Sequence, residues 1–195
     1  MAHHLYTTAA FVLHSTPAGE ANRFLDLFTR ELGLVRCLGK SIREGRSKLR
    51  YGLQPLSFAE VGLVRGRELW RLTGASPGLS LSGACKEDTS RLYLAARIAR
   101  LLARLVQGEE KNEELFFVVE EGMRFLAAEK FENGQLQNFE CVLVLQILHR
   151  LGYLGGEEFN SFLSSPLSRE VIAAIDPIRT KAVVTINRSL RETHL

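Results

Sequence analysis

The residues of this chain best suited to a chemical role are six basic side chains gathered within residues 33–56. They are Arg36, Lys40, Arg43, Arg46, Lys48 and Arg50, with Glu44 as the single acid among them. Lysine and arginine bind a phosphate backbone by displacing its condensed counterions, and a flexible loop adapts to a flexible strand. The segment therefore predicts a nucleic-acid-binding loop that dominates affinity. The alternative is a solvated loop whose charge serves only solubility.

Two further arginines, Arg65 and Arg67, flank a glycine at which a tight turn is predicted. They either extend the phosphate track or mark an exposed polar hairpin tip. Aromatic side chains can stack on unpaired bases, and Tyr51, Phe58 and Trp70 are candidates for this role. Aromatic residues of a small barrel more often belong to its core, which is the favoured interpretation of Trp70.

A stripe of arginines recurs in the second half of the chain. Arg97, Arg100 and Arg104 have the spacing of neighbours on one helix face. Ion pairing with acids of the next helix is the favoured interpretation, and a second phosphate contact is the alternative. The acids are Glu113, Glu114, Glu120 and Glu121.

The charge of the chain is unevenly distributed, although the net value is only +3. Residues 1–82 contain 11 Lys/Arg and 6 Asp/Glu, whereas residues 83–195 contain 14 and 16. This asymmetry favours a polyanionic partner for the first half without identifying the polyanion.

No arrangement of residues predicts catalysis or metal binding. Cys37, Cys85 and Cys141 are too far apart for a local zinc knuckle and are interpreted as small buried hydrophobic residues. The histidines form no HxxxH or HExxH pattern, and neither a glycine-rich phosphate loop nor a nucleophile elbow is present. We therefore expect no enzymatic activity, no metal and no cofactor.

Membrane attachment is not predicted either. No apolar run approaches the roughly 20 residues that a membrane-spanning helix needs. The N-terminus lacks the basic flank and the apolar core of a signal peptide. We expect a cytoplasmic protein.

The hydrophobic period changes after Ser76-Pro77-Gly78 from about two residues to about 3.6. Five short strands are predicted before this point, although residues 21–30 also allow a helix, and together they suit a small closed barrel. Helices are predicted after it, with the apolar segment 135–153 at the centre of a bundle. The expected fold is α+β and multidomain, with a barrel domain at 1–79 and a helical domain at 80–195.

Residues 10–70 resemble the N-terminal domain of the RecO family, which are bacterial DNA repair and recombination mediator proteins. The resemblance depends on the order of VLHSTPAGE, LFTRELG, GLVRCLGK, the basic loop and LQPLSFAE. In the second half, LFFVVEEGMRFLA and NFECVLVLQILHRLGYLGG resemble the helical domain of the family, and NRSLRETHL its closing helix.

The resemblance implies a five-stranded OB-type barrel and a helical domain that bind single- and double-stranded DNA. It implies RecR as a partner, displacement of the single-stranded DNA-binding protein during RecA loading, and annealing of complementary strands. It also implies a docking site for the acidic, apolar-ended tail of the single-stranded DNA-binding protein. We place that site on the arginine stripe, with Leu94, Leu101 or the Phe116-Phe117 pair as its apolar walls.

The chain departs from the family pattern after Leu151-Gly152-Tyr153. Many members carry a four-cysteine zinc module there, whereas LGGEEFNSFLSSPLS is shorter and contains no cysteine. Some members keep the fold without zinc, so the departure bears on the metal more than on the family.

Two alternatives from other functional classes remain open. One is an OB-type RNA- or ribosome-associated module, because such barrels also bind RNA through basic loops. The other is a protein-interaction adaptor that acts through its helical half.

Overall fold

A computed structural model of the chain describes residues 4–42, 52–132, 134–155 and 157–193. The described chain forms two compact units, Met1–Phe116 and Phe117–Leu195. Five residues singled out from the sequence lie outside the described ranges. These are Arg43, Arg46, Lys48, Arg50 and Tyr51.

The first unit is built on a closed barrel of five strands in the order β1-β2-β3-β5-β4. The strands are β1 (Leu5–Ala18), β2 (Asn22–Thr29), β3 (Gly33–Gly39), β4 (Ser57–Arg65) and β5 (Trp70–Ser80). Neighbours pair antiparallel except β3 and β5, which pair in parallel. The predicted barrel is confirmed, and the segment that allowed a helix is strand β2.

Helices follow the barrel through the rest of the chain. They are α1 (Leu81–Ala84), α2 (Thr89–Leu105), α3 (Glu113–Ala128), α4 (Gln135–Arg150), α5 (Asn160–Leu163), α6 (Arg169–Ala174) and α7 (Arg179–Glu192). Short 3₁₀ turns precede α5 and α7, at Glu157–Phe159 and Asp176–Ile178. The α+β class predicted from the sequence is confirmed.

The change from strands to helices falls between Ser80 and Leu81. The two compact units instead divide between Phe116 and Phe117, because α2 packs against β1 and β2 and so joins the barrel unit. The division of the chain into domains at 79/80 stays a prediction.

The barrel interior is filled by the inward side chains of all five strands. Leu25 and Leu27 of β2 and Val35 and Cys37 of β3 are fully buried, as expected for alternating positions that face one side of a strand. Trp70 closes this core with 4% of its surface exposed, which confirms its predicted place. All three cysteines are buried, also as predicted.

A second apolar layer covers part of the outer barrel surface. Phe11, Phe28 and Phe58 alternate with inward residues of β1, β2 and β4, and all three are nonetheless buried. Phe11 stacks on Phe58 at 4.5 Å between ring centroids, and Phe116 at the start of α3 lies 5.6 Å from Phe28 and 6.2 Å from Phe58. Helical residues therefore exclude water from one end of the outer surface.

The second unit is organised around α4, which is buried continuously from Cys141 to Leu148. Helices α5, α6 and α7 all pack against it. Gln146, a polar residue inside this core, donates hydrogen bonds to the carbonyl oxygens of Phe162 and Ser165 at 2.8 and 2.9 Å. The prediction of α4 as the centre of a helical bundle is confirmed.

Replacing Gly33 by alanine is expected to destabilise the first unit by about 3 kcal/mol. Gly33 has φ of +67°, and an added Cβ would lie 2.7 Å from the backbone nitrogen of Glu110. The left-handed backbone costs a non-glycine residue roughly 1–2 kcal/mol, and forced overlap in a packed site adds about 1–3 kcal/mol.

The matched control is Gly19→Ala, because Gly19 has φ of +75° but no atom within 4 Å of an added Cβ. Urea unfolding should show a loss of only about 1–2 kcal/mol for this variant. Equal losses in the two variants would contradict the close approach at Gly33.

Candidate nucleic-acid interface

One end of the outer surface of β1, β2 and β3 carries mostly polar and half-exposed side chains, in contrast to the buried phenylalanines of the other end. Its outward residues form two cross-strand rows. The first row is His14, Asp26 and Arg36, and the second is Thr16, Phe24, Leu38 and Arg71. The second row crosses from β3 to β5 because these strands pair in parallel.

Charges in the first row are loosely held. Asp26 lies 3.6 Å from Nδ1 of His14 and 3.8 Å from Nε of Arg36. The Arg36 side chain is 60% exposed, and ion pairs of this kind contribute about 0–1 kcal/mol. Arg36 therefore keeps its cation accessible to an anion in solvent.

This cation lies over the face of an aromatic ring. The guanidinium carbon of Arg36 is 5.2 Å from the ring centroid of Phe24, a cation–π distance. Phe24 is partly exposed, with Leu38 beside it on β3. The face thus combines a cation with an accessible aromatic ring.

A groove continues the second row towards the connection between β4 and β5. Leu38, Val64 and Leu69 supply its apolar lining, Arg65, Arg67 and Arg71 its cations, and Glu68 an acid. The connecting turn is closed by a hydrogen bond of 3.0 Å from Gly66 N to Leu69 O. Within the described chain, Arg67 and Arg71 make no ion pair, so two of the three cations face solvent.

The third cation, Arg65, is held by Glu109 from the segment between α2 and α3. One carboxylate oxygen of Glu109 accepts a bond of 2.8 Å from Arg65, and the other accepts a bond of 2.8 Å from Nε1 of Trp70. The Arg65 guanidinium also lies 5.4 Å from the Trp70 ring centroid. Glu109 therefore accepts the hydrogen bond of the buried Trp70 indole and also positions Arg65 at the rim of the groove.

The two ends of the predicted basic loop are fixed to the barrel. Lys40 is exposed just after β3, and Ser41 donates its backbone N–H to Oδ1 of Asn22 at 3.0 Å. Ile42 and Leu53 are both buried, with 1% of their surface exposed. The loop therefore leaves the barrel beside the start of β2, two residues from Phe24.

Of the site residues predicted from the sequence, those that the structure describes are either exposed or buried. Arg36, Lys40, Arg65 and Arg67 are all exposed on the barrel unit, around the two rows and the groove. Phe58 and Trp70 are buried, so neither offers a ring for base stacking. Sequence reasoning missed Phe24 and Arg71, although the alternation of β2 already placed Phe24 opposite to the inward Leu25.

The arginine stripe lies on the exposed side of α2. Arg97, Arg100 and Arg104 are exposed, and the buried side of the helix presents Leu94 and Ile98 to the barrel unit. Of the acids considered as partners, Glu113 pairs with Lys111 at 3.3 Å and Glu120 with Arg124 at 2.7 Å. The proposed walls Leu94 and Phe116 are buried and cannot line a surface pocket, which corrects that part of the expectation.

The described residues offer no reactive thiolate. Burial, with a smaller contribution from Asp26, raises the pKa of Cys37 to about 12. Burial also raises the pKa of Cys141 to about 11. Both thiols are therefore protonated at neutral pH, and a protonated thiol is a poor nucleophile and metal ligand.

No group of three or more His, Cys, Asp or Glu side chains in the described ranges could hold a metal ion. None of the helices described is long and apolar enough to cross a membrane.

The strand order and the accessible surface define a class of protein, an OB-type barrel joined to a helical unit. In this fold, ligands bind on the face of strands 2 and 3 and on the loops after strands 1 and 4. Phe24 and Arg36 lie on the face of strands 2 and 3, and Arg65 and Arg67 lie at the connection after strand 4.

Two family models match the chain. They are Recombination protein O N terminal, over residues 1–78, and Recombination protein O C terminal, over residues 86–154. A DNA repair protein RecO of Heliobacterium modesticaldum is 36% identical over 149 residues, covering 76% of this chain and 52% of the relative. The chain belongs to the RecO family.

Other relatives carry the same name. The DNA repair protein RecO of Rubrobacter xylanophilus is 36% identical over 132 residues, covering 60% of this chain and 53% of the relative. That of Serratia proteamaculans is 36% identical over 148 residues, covering 74% and 57%. The chain thus spans little more than half the length of the curated relatives that it matches.

Replacing Glu109 by alanine should lower the free energy of unfolding by about 1–3 kcal/mol, because it leaves the buried Nε1 of Trp70 without its acceptor. The exposed pair with Arg65 should add little. Glu109→Gln keeps an acceptor and should be close to wild type. Urea unfolding followed by the fluorescence of Trp70, the one tryptophan in the chain, measures both. A Glu109→Ala protein as stable as Glu110→Ala would contradict this role.

Proposed function

We propose that this chain binds single- and double-stranded DNA through its barrel and acts as a mediator in recombinational repair. In this proposal it anneals complementary strands. In the cytoplasm, it helps together with RecR to load RecA onto single-stranded DNA that is covered by the single-stranded DNA-binding protein. The observation that carries the proposal is the cationic surface on strands 2 and 3 and on the turn after strand 4, in a chain of the RecO family.

The described cations of this surface suit a phosphate backbone. Arg36, Arg67 and Arg71 are exposed, and Arg36 is held only loosely by Asp26. A phosphate can replace an exposed carboxylate partner at little cost, because such ion pairs contribute only about 0–1 kcal/mol. The basic loop, which leaves the barrel beside β2, would add further contacts to the same strand.

Annealing and loading need no covalent chemistry. Cations that neutralise phosphates lower the repulsion between two strands, and contacts to the backbone leave base edges free to pair. The proposal therefore assigns the chain no catalytic residue, no cofactor and no metal.

The first test measures how salt weakens binding to single-stranded DNA. Each phosphate contact contributes about −0.7 to the log–log slope, so a track of four to five contacts gives a slope of roughly −3. The loop variant Arg43→Ala/Arg46→Ala/Lys48→Ala should flatten the slope by about 2 units. If the groove also contacts phosphate, its three cations steepen the wild-type slope to about −5, and the groove variant Arg65→Ala/Arg67→Ala/Arg71→Ala flattens it by about 2 units.

The matched control removes the same charge from exposed positions of the second unit, by Lys130→Ala/Arg188→Ala/Arg191→Ala. It should leave the slope near the wild-type value. Fluorescence anisotropy over a series of salt concentrations gives all four slopes, and competition with RNA at one salt concentration tests the RNA-binding alternative. Slopes unchanged in both barrel variants would refute the proposed DNA-binding surface.

We also propose that the helical part of the chain docks the acidic, apolar-ended tail of the single-stranded DNA-binding protein. Besides the arginine stripe of α2, a groove between α4 and α7 suits such a tail. Cys141, Val144, Val183 and Ile186 supply its apolar lining, Arg179 a cation, and Gln137 and Glu140 the remaining polar side chains. A terminal carboxylate beside Arg179 would form a charge-assisted hydrogen bond, which Glu140 opposes.

A tail peptide titrated onto the whole chain distinguishes the two docking sites. Val183→Glu places an acid on the groove wall and should weaken binding at least tenfold by repulsion. Val184→Glu is the control, because Val184 is exposed but does not line the groove. Docking on the arginine stripe instead predicts losses for Arg100→Ala and Arg104→Ala, of about 1–3 kcal/mol each. Equal affinity in all four variants would refute both sites.

A further inference from the structure

Phe24 is an aromatic residue that the packing of the barrel does not explain. We propose that its ring stacks on an unpaired base and so makes the barrel surface prefer single-stranded over double-stranded DNA. This inference rests on the proposed function. It identifies the residue that would distinguish single-stranded from double-stranded DNA.

The position of Phe24 sets it apart from the other phenylalanines of the strands. Phe11, Phe28 and Phe58 also point outward, but each is at least 95% buried, and Phe116 packs against two of them, Phe28 and Phe58. Phe24 lies on the same side of β2 as Phe28, four residues earlier, and stays partly exposed. Within the described chain it is the one strand phenylalanine whose ring remains accessible to a ligand.

The neighbours of Phe24 form a shelf suited to a flat base. Leu38 lies directly opposite on β3, and Thr16 lies opposite on β1. Both residues and Phe24 itself are half-buried, so this row of the sheet stays partly open to solvent. Nucleobases of every type have a π-face, and stacking on an aromatic side chain is therefore tolerant of sequence.

Arg36 provides the accompanying cation. Its guanidinium lies 5.2 Å from the Phe24 ring centroid, and its distance of 3.8 Å from Asp26 is too long for a hydrogen bond. The side chain lies over the ring face, and it can turn towards a phosphate and leave that face to a base. A nucleotide bound here would place its base on Phe24 and its phosphate on Arg36.

A second cation lies at a distance suited to the next phosphates. Arg71 is opposite Leu38 on β5, two strands from Phe24. Neighbouring strands are about 4.8 Å apart, so Arg71 is roughly 10 Å from Phe24 across the sheet. A single strand that crosses β2, β3 and β5 would meet the ring first and this cation next.

A duplex would gain nothing from the ring, because its bases are already stacked and paired. Phe24 should therefore add to the affinity for single strands and leave the affinity for duplexes to the cations. Since stacking displaces no counterions, it should change the affinity at every salt concentration and leave the salt slope unchanged.

The test compares three probes of equal length on the whole chain at one salt concentration. They are a single-stranded oligonucleotide, the same backbone with abasic sites throughout, and a duplex. The wild-type chain should bind the single strand at least about fivefold more tightly than the abasic strand, since stacking of one base is typically worth that factor or more. Phe24→Leu should remove this difference and leave the abasic and duplex affinities unchanged.

Two further variants exclude a structural explanation. Phe24→Tyr keeps an aromatic ring and should bind as wild type does, and Phe117→Leu removes a partly exposed ring of the second unit and should change nothing. Equal binding of single and abasic strands by wild type would overturn the stacking role and leave the proposed DNA-binding function standing. A uniform loss on all three probes in Phe24→Leu would also overturn it. Absence of binding to any probe would overturn the proposed function itself.

Discussion

The partial covering of the barrel by helical residues is the constraint on which the rest of the first unit depends. A closed barrel has no free strand edges, so it can bind a partner only through its outer surface and its loops. Packing of Phe116 against Phe28 and Phe58 removes one end of that surface from water. The other end, with Phe24 and Arg36, is where a ligand can reach the strands.

The same covering helices also bring the segment between α2 and α3 against the barrel. Leu34 donates its backbone N–H to Gly108 O at 3.0 Å, and Gly33 leaves no room for a side chain beside Glu110. Glu109 is thereby positioned to bond both Trp70 and Arg65. The packing of a linker thus sets the geometry of a cation at the edge of the candidate interface.

The two units offer different kinds of surface. The first unit presents exposed cations that suit a flexible polyanion. The second unit presents a mostly apolar groove that is lined in part by Arg179. In the proposed mediator function, the first surface would hold DNA and the second a protein tail. Each kind of contact has its own chemical signature, since the first weakens steeply with salt and the second depends on apolar burial.

The sequence by itself determined the elements and much of the core. Strand and helix periods are local properties, so the five strands, the buried α4, the inward Trp70 and the buried cysteines followed from the pattern of residues. The sequence alone also showed the concentration of basic residues in the first half and the resemblance to the RecO family.

Only the tertiary structure decided which of these residues remain accessible. Phe24 and Phe28 are the same residue type on the same side of β2, and nothing in the strand distinguishes them. They differ because Phe116, far away in sequence, covers one and not the other. Arg71 joins the row of Phe24 for a similar reason, because the parallel pairing of β3 with β5 places it beside Leu38. Contacts between residues distant in sequence create both differences, and a local pattern contains no information about them.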